Sequence, residues 1–275
     1  MKYPSAPRGD HVDTYHGTKV ADPYRWLEDL DSPQTKTWVE AENELTFGFL
    51  KTLPQREAFR ARLTTIWNYA RSSVPMKEGG RYFFTKNSGL QNQAVLFVKE
   101  SARAEPRVLL DPNTLASDGT VALTTVRPSR DGKLLAYGTA AAGSDWNEFR
   151  VRNVDTGKDS DDVVKWVKFS GLSWTKDGKG FFYSRYPTPE VDAGTGKTFG
   201  KLEKQRMYYH KLGTPQSEDR MIHEVAAEPK WFVRGGVTED GRYVAITINR
   251  GSSSESLLSY IDLGDAMAPT LTAAA

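Results

Sequence analysis

The sequence predicts a mainly β protein, a row of propeller-like blades behind a short α-helical arm. Three observations carry this. Apolar stripes at helical spacing are confined to the first seventy residues. From Arg71 onward, four stretches repeat a glycine turn followed by an aromatic or aliphatic run. A second strand-like run follows each of the four after a polar loop.

The arm comes first. Pro4 and Pro7 keep the start extended. "YRWLEDL", after Pro23, reads as a helical turn. Ser32 before Pro33 reads as an N-cap with proline at the first helical position. The helix that follows carries Trp38, Ala41, Leu45 and Phe49 on one stripe. Pro54 opens a second helix with Phe59, Leu63, Ile66 and Trp67 on one face. Both helices need a surface to cover those aromatics.

The repeat units are "KEGGRYFF", "SRDGKLLAYG", "TKDGKGFFYS" and "TEDGRYVAIT", marked by Gly80, Gly132, Gly178 and Gly241. In the last three, Asp-Gly supplies a tight turn because both residues tolerate positive φ. The partner strands are "AVLFVKE", "EFRVRNV", "RMYYHKL" and "LLSYIDL". In "YVAITI", Val244, Ile246 and Ile248 face one way and Tyr243, Ala245 and Thr247 the other. An insertion, "YPTPEVDAGTGKTFGK", lengthens the third interval and reads as a surface loop. Several strands per unit at this spacing fit propeller blades, with a β-sandwich of irregular hairpins as the alternative. The expected organisation is an arm over 1–70, blades at about 71–115, 121–160, 167–215 and 228–265, and a tail over 266–275.

Composition bounds the function. The 275 residues are 38% hydrophobic and 26% charged, as in a soluble globular protein. A net charge of +2, spread without runs, gives no reason to expect nucleic acid as a partner. The absence of cysteine excludes disulfides, thiolate zinc sites and cysteine nucleophiles. No apolar stretch suits a membrane span, and "MKYPSAPRGD" lacks the apolar core of a signal peptide. The expectation is a cytoplasmic protein, or a periplasmic one if a leader is trimmed.

Motifs for catalysis are missing. There is no G-x-S-x-G, and "GSSSES" at 251–256 belongs to a hairpin loop. "AGTGKT" resembles the end of a phosphate loop, but Val191 stands where the first glycine is required. His11, His16, His210 and His223 have no metal-ligand spacing, which assigns them structural or surface roles. The acidic neighbours Glu28 with Asp29, and Asp161 with Asp162, read as solvated faces.

Four separated segments carry a resemblance. They are "HGTKVADPYRWLEDLDSPQTKTWVEAEN", "VKFSGLSWTKDGKGFFYSRYP", "YYHKLGTPQSEDRMIHE" and "EPKWFVRGGVTEDGRYVAITINRG". In that order they resemble the N-terminal part of the prolyl oligopeptidases, over essentially the whole chain up to about residue 264. The resemblance implies a helical arm that packs on an α/β-hydrolase domain, and a seven-bladed propeller that restricts substrates to short peptides. It implies hydrolysis after proline by a Ser-His-Asp triad, with neither metal nor organic cofactor. Seven blades need roughly 350 residues, so only about four fit here. The α/β-hydrolase domain, with its nucleophile, is expected to lie beyond this chain.

The resemblance also carries over single positions. Phe169, in "VKFS", would line an apolar pocket for the substrate residue two before the proline. Phe232 follows "PKW", where some relatives have Met. Ser252 stands where some have Cys. The expected partners are short proline-containing peptides, given a hydrolase domain, with self-association through the exposed arm and blade edges. The alternative is a free-standing four-bladed peptide-binding or interaction module.

Overall fold

The computed structural model describes residues 2–188 and 202–264. The chain divides into two compact units, one over residues 1–67 with 188–201, the other over 68–187 with 202–275.

The first unit opens with a hairpin, β1 (Val12–Tyr15) against β2 (Thr18–Ala21), which no expectation from the sequence covered. His16 and Gly17, both at positive φ, make its turn. A 3-10 turn over Arg25–Glu28 replaces the expected helical turn, and within it Glu28 pairs with Arg25. Helix α1 (Pro33–Lys51) begins as anticipated: the Ser32 hydroxyl accepts the Thr35 N–H at 3.1 Å, and Pro33 occupies the first turn. Trp26 packs edge-on against Trp38, at 6.3 Å between ring centres. Helix α2 (Arg56–Trp67) buries none of its residues. Phe59, Leu63 and Trp67 are more than half exposed, at 67%, 51% and 55%.

The second unit is four antiparallel sheets in chain order. The first holds β3 (Arg71–Ser72), β4 (Met76–Glu78), β5 (Arg81–Asn87), β6 (Val95–Lys99) and β7 (Arg107–Leu110). The second holds β8 (Ala122–Pro128), β9 (Leu134–Ala140), β10 (Asn147–Asn153) and β11 (Asp159–Val167). The third is β12 (Leu172–Trp174), β13 (Gly180–Arg185), β14 (Arg206–Lys211) and β15 (Arg220–Glu224). The fourth is β16 (Phe232–Val237), β17 (Tyr243–Asn249) and β18 (Ser256–Asp262). Strands β11 and β15 run past the ends of the 121–160 and 167–215 segments. The architecture is mainly β with two N-terminal helices, and its sheets are those of a partial propeller. No α/β-hydrolase fold occurs among the described residues.

The period-2 alternation of strands builds the cores between sheets. Leu135 and Tyr137 of β9 join Phe83, Leu96 and Val98 of the first sheet. Their neighbour Ala136 joins Phe149, Trp174, Phe181 and Tyr183 between the second and third sheets. Phe182, pointing the other way from β13, joins Met207, Val233, Val244, Ile246 and Ile248 toward the fourth. Each sheet therefore gives one apolar face to each neighbour in the chain, as stacked blades do.

The glycine turns repeat down to single bonds. Gly80, Gly132, Gly178 and Gly241 all have φ between 67° and 82°. In the last three the glycine N–H reaches back to the carbonyl of Ser129, Thr175 or Thr238. The intervening aspartates accept rather than adopt positive φ: Asp131, Asp177 and Asp240 each take a side-chain hydroxyl and a later backbone N–H. These turns close the C-terminal ends of β8, β12 and β16. Side-chain bonds tie those first strands together, from Trp174 Nε1 to the Arg127 carbonyl at 2.8 Å and from Val237 N to Ser173 Oγ at 2.9 Å.

Candidate functional site

The opposite, N-terminal ends of β12 and β16 bring Phe169 and Phe232 together. Phe169 lies on the connection between β11 and β12, and Phe232 opens β16. Their rings meet edge to face, with centres 5.9 Å apart and planes at 73°. Phe169 is 42% exposed, so it is not a core residue.

The end of β11 and the connection after it are held in an unusual shape. Trp166 and Phe169 sit at φ of 62° and 55°, a region that disfavours side chains beyond glycine. Surrounding groups fix them there. The Trp166 carbonyl accepts the Tyr186 N–H at 3.1 Å. Arg234 Nε donates to the Phe169 carbonyl at 3.1 Å. Ser170 Oγ accepts the Ser184 N–H at 2.8 Å. Gln205, 2% exposed, donates from Nε2 to the Lys168 carbonyl at 2.9 Å and accepts the Val233 N–H at 2.8 Å. One buried amide thus grips the residue before Phe169 and the residue after Phe232.

More aromatic surface continues from the pair. The Lys168 ammonium lies 5.1 Å from the Phe169 ring centre and 5.4 Å from that of Trp146, in cation–π range. It also pairs with Asp145 at 3.4 Å. Trp146 meets Trp166 and Tyr186 edge-on, at 6.0 and 5.9 Å. Beside Phe169 opens a cleft of about 410 Å³ whose lining includes Asp145, Asn147 and Arg234.

Ser252 stands in the exposed turn between β17 and β18, in the "GSSSES" loop. Phe232 pairs with Asn249, and Asn249 with Ser256, so this turn lies at the Phe232 end of the sheet. Sequence reading singled out Phe169, Phe232 and Ser252 and missed Trp146, Lys168, Gln205 and Arg234. "AGTGKT" lies outside the described residues.

Asp162 corrects one expectation. It is 6% exposed rather than solvated, because it binds His210. The imidazole of His210, fully buried, contacts Asp219 through Nδ1 at 2.7 Å and Asp162 through Nε2 at 3.1 Å. Asp162 also accepts Ser160 Oγ–H and Gly213 N–H, both at 2.6 Å. Tyr183 donates its hydroxyl to Asp219 at 2.6 Å. Burial, the largest influence, pulls the His210 pKa down, but Asp219 and then Asp162 outweigh it and the value is raised. Histidine, aspartate and serine meet here without forming a catalytic triad. Both ring nitrogens already face carboxylates, so neither is left to take a proton from a hydroxyl. The cluster instead ties β11 of the second sheet to β14 of the third.

Known proteins resemble this chain in sequence and fold. Residues 4–273 match the family described as prolyl oligopeptidase, N-terminal beta-propeller domain. A prolyl endopeptidase of Elizabethkingia meningoseptica is 40% identical over 257 residues, covering 94% of this chain and 36% of that protein. Prolyl oligopeptidase A of Amanita bisporigera is 37% identical over 290 residues, covering 95% and 38%. Among solved structures, a prolyl endopeptidase studied for inter-domain dynamics in catalysis and specificity superposes with a TM-score of 0.82 at 34% identity. It aligns over 96% of this chain and 38% of its own. Prolyl oligopeptidase B of Galerina marginata, bound to a 25mer macrocyclization substrate, gives 0.78 at 32%, over 96% and 39%. The chain therefore spans well under half the length of the relatives it matches.

Proposed function

The chain belongs to the prolyl oligopeptidase family, as its N-terminal propeller part, and from that premise we propose that it supplies the peptide-facing wall of a post-proline serine endopeptidase. The substrates are short proline-containing peptides. Phe169 and Phe232 form the apolar wall for the residue two before the proline, with Ser252 at its rim. The arm's exposed stripe packs on the hydrolase domain. Alone, the chain does not hydrolyse peptides.

The observation that carries this reading is the Phe169–Phe232 contact. An aromatic side chain that is 42% exposed, on backbone at positive φ, is costly to maintain by about 1–3 kcal/mol. Four separate hydrogen bonds nevertheless hold the connection that carries it. Such investment in an exposed ring fits a binding surface better than packing. What supports inactivity of the chain alone is the lack of a G-x-S-x-G in the sequence and the commitment of both His210 ring nitrogens to carboxylates.

The test is hydrolysis of a fluorogenic Gly-Pro amide by the purified chain, with and without a serine-directed phosphonate. No turnover is expected. Turnover abolished by the phosphonate, with host peptidases excluded, would overturn the reading. Binding is tested alongside by titrating a short Phe-Ala-Pro peptide into wild type and Phe169→Ala. Affinity should fall at least about fivefold, as expected for loss of a buried aromatic contact.

A further inference from the structure

The cleft beside Phe169 is polar, and most of its neutral polar side chains are hydrogen-bonded to one another or to nearby backbone. The Thr124 hydroxyl donates to Asn147 Oδ1. The Asn147 amide donates to the Asp145 carbonyl at 2.8 Å. Ser144 Oγ accepts the Trp146 N–H at 3.1 Å. Ser170 donates to the Gly171 carbonyl at 2.7 Å while accepting the Ser184 N–H. The Asp145 carboxylate is answered by Lys168 at 3.4 Å.

Arg234 differs. Its Nε is spent on the Phe169 carbonyl, which leaves Nη1 and Nη2 without a partner among the described residues. The side chain lines the cleft and is exposed. Its planar fork fits a carboxylate through two parallel N–H bonds. The Nε tether also restricts where the fork can point, which lowers the entropy lost when it binds.

We propose that Arg234 is a carboxylate subsite, selecting peptides with an acidic side chain one residue upstream of the residue held by Phe169 and Phe232. The inference rests on the peptide-facing reading above and adds a charge preference to it. Asp145 does not cancel that preference, because Lys168 already answers its charge. Arg234 and Phe169 line the same cleft, so the neighbour of a residue held by that ring would enter within reach of the cation.

Two isosteric peptides test this, Ac-Glu-Phe-Ala-Pro-NH2 and Ac-Gln-Phe-Ala-Pro-NH2, titrated calorimetrically into the 275-residue chain. The glutamate peptide should bind about three- to tenfold tighter at low ionic strength. The gap should shrink in about 0.5 M NaCl, where the screening length falls to a few ångströms. In Arg234→Gln the gap should vanish, and loss of the Nε bond to the Phe169 carbonyl should weaken both peptides alike on top of that. Arg234→Lys should retain part of the gap. Equal, measurable affinities of wild type for the two peptides would overturn the subsite and leave the aromatic wall standing. Equal loss of both in Arg234→Gln, with the gap intact, would show that Arg234 only braces Phe169, and would overturn it too. Binding of neither peptide by wild type would overturn the peptide-facing reading, and the subsite with it.

Discussion

Phe169 lies on the β11–β12 connection and Phe232 in the fourth sheet, and a single buried side chain, Gln205, bonds to the backbone beside each. The amide supplies a donor to the Lys168 carbonyl and an acceptor for the Val233 N–H. An amide does both at once; a carboxylate or a hydrocarbon cannot.

Gln205→Ala should therefore strand one buried and one part-buried backbone group, at a cost of about 2–4 kcal/mol. Gln205→Glu should be at least as damaging, because it places a carboxylate against the Lys168 carbonyl. Urea unfolding measures the stability. Peptide affinity should fall more than in a variant of equal instability placed between the first and second sheets, such as Val98→Ala. Equal affinity losses in the two would show that Gln205 acts on stability alone.

His210 gives the junction of the second and third sheets a pH dependence. Asp219 and Asp162 raise its pKa above the usual 6.5 against the opposing effect of burial. The folded state thus holds the proton more tightly than the unfolded chain. The resulting stability is fully present below pH 6.5 and is lost as the pH rises through the folded-state value. For Asp162, burial works to raise the pKa, and the bonds from Ser160, Gly213 and His210 outweigh it, so the value lies below 3.8. That contribution is present above pH 3.8 and disappears as the pH falls through the folded-state value. His223 works in the opposite sense to His210, since burial lowers its pKa and disfavours its protonation in the fold. The difference between wild type and His210→Gln removes this background. The variant should lose about 3 kcal/mol near pH 6, and its deficit should narrow with rising pH. A deficit that stays constant from pH 6 to 9 would refute a charged imidazole.

The glycine turns, the Ser32 cap and the Val244, Ile246 and Ile248 face were legible because local chemistry decides them. A positive φ selects glycine, an N-cap selects serine, and a half-buried strand selects alternation. The β1–β2 hairpin escaped notice because its strands are almost wholly exposed, so no apolar pattern marks them. Of the candidate site, family resemblance pointed only to Phe169, Phe232 and Ser252. Gln205 reaches partners 37 and 28 residues away, and Arg234 one 65 residues away. Asp162 looked solvated because its partner His210 is 48 residues downstream. Pairings of that range are fixed by the stacking of sheets, which no local pattern reports.

Two glycines separate conformational strain from steric collision. Gly178 has φ of 67° with open space where a Cβ would go. Gly178→Ala should cost about 1 kcal/mol, the price of a left-handed alanine. Gly79 has φ of 55°, but a Cβ there would lie 2.0 Å from the Asp131 carbonyl oxygen, on the turn of the next sheet. Gly79→Ala should cost well over twice as much, because backbone must move. Similar urea midpoints for the two variants would contradict the close approach of those turns.

The exposed stripe of the arm is one of two surfaces through which the isolated chain is expected to associate. Leu50, Leu53, Phe59 and Leu63 line an apolar groove of about 660 Å³ between the end of α1 and the start of α2. Leu258 and Tyr260 stand 75% and 66% exposed on β18, with no strand beyond it in the described sheet. Uncovered apolar surface and an open strand edge both favour self-association in water. Sedimentation velocity should show concentration-dependent species for the isolated chain. Phe59→Ser with Leu63→Ser should weaken association if the groove drives it, whereas Leu258→Lys should do so if the strand edge does. These substitutions remove surface that is already wet, so folding stability should change by less than about 1 kcal/mol. A chain that stays monomeric at every concentration would show that neither surface seeks a partner, and would favour a free-standing module over part of a larger peptidase.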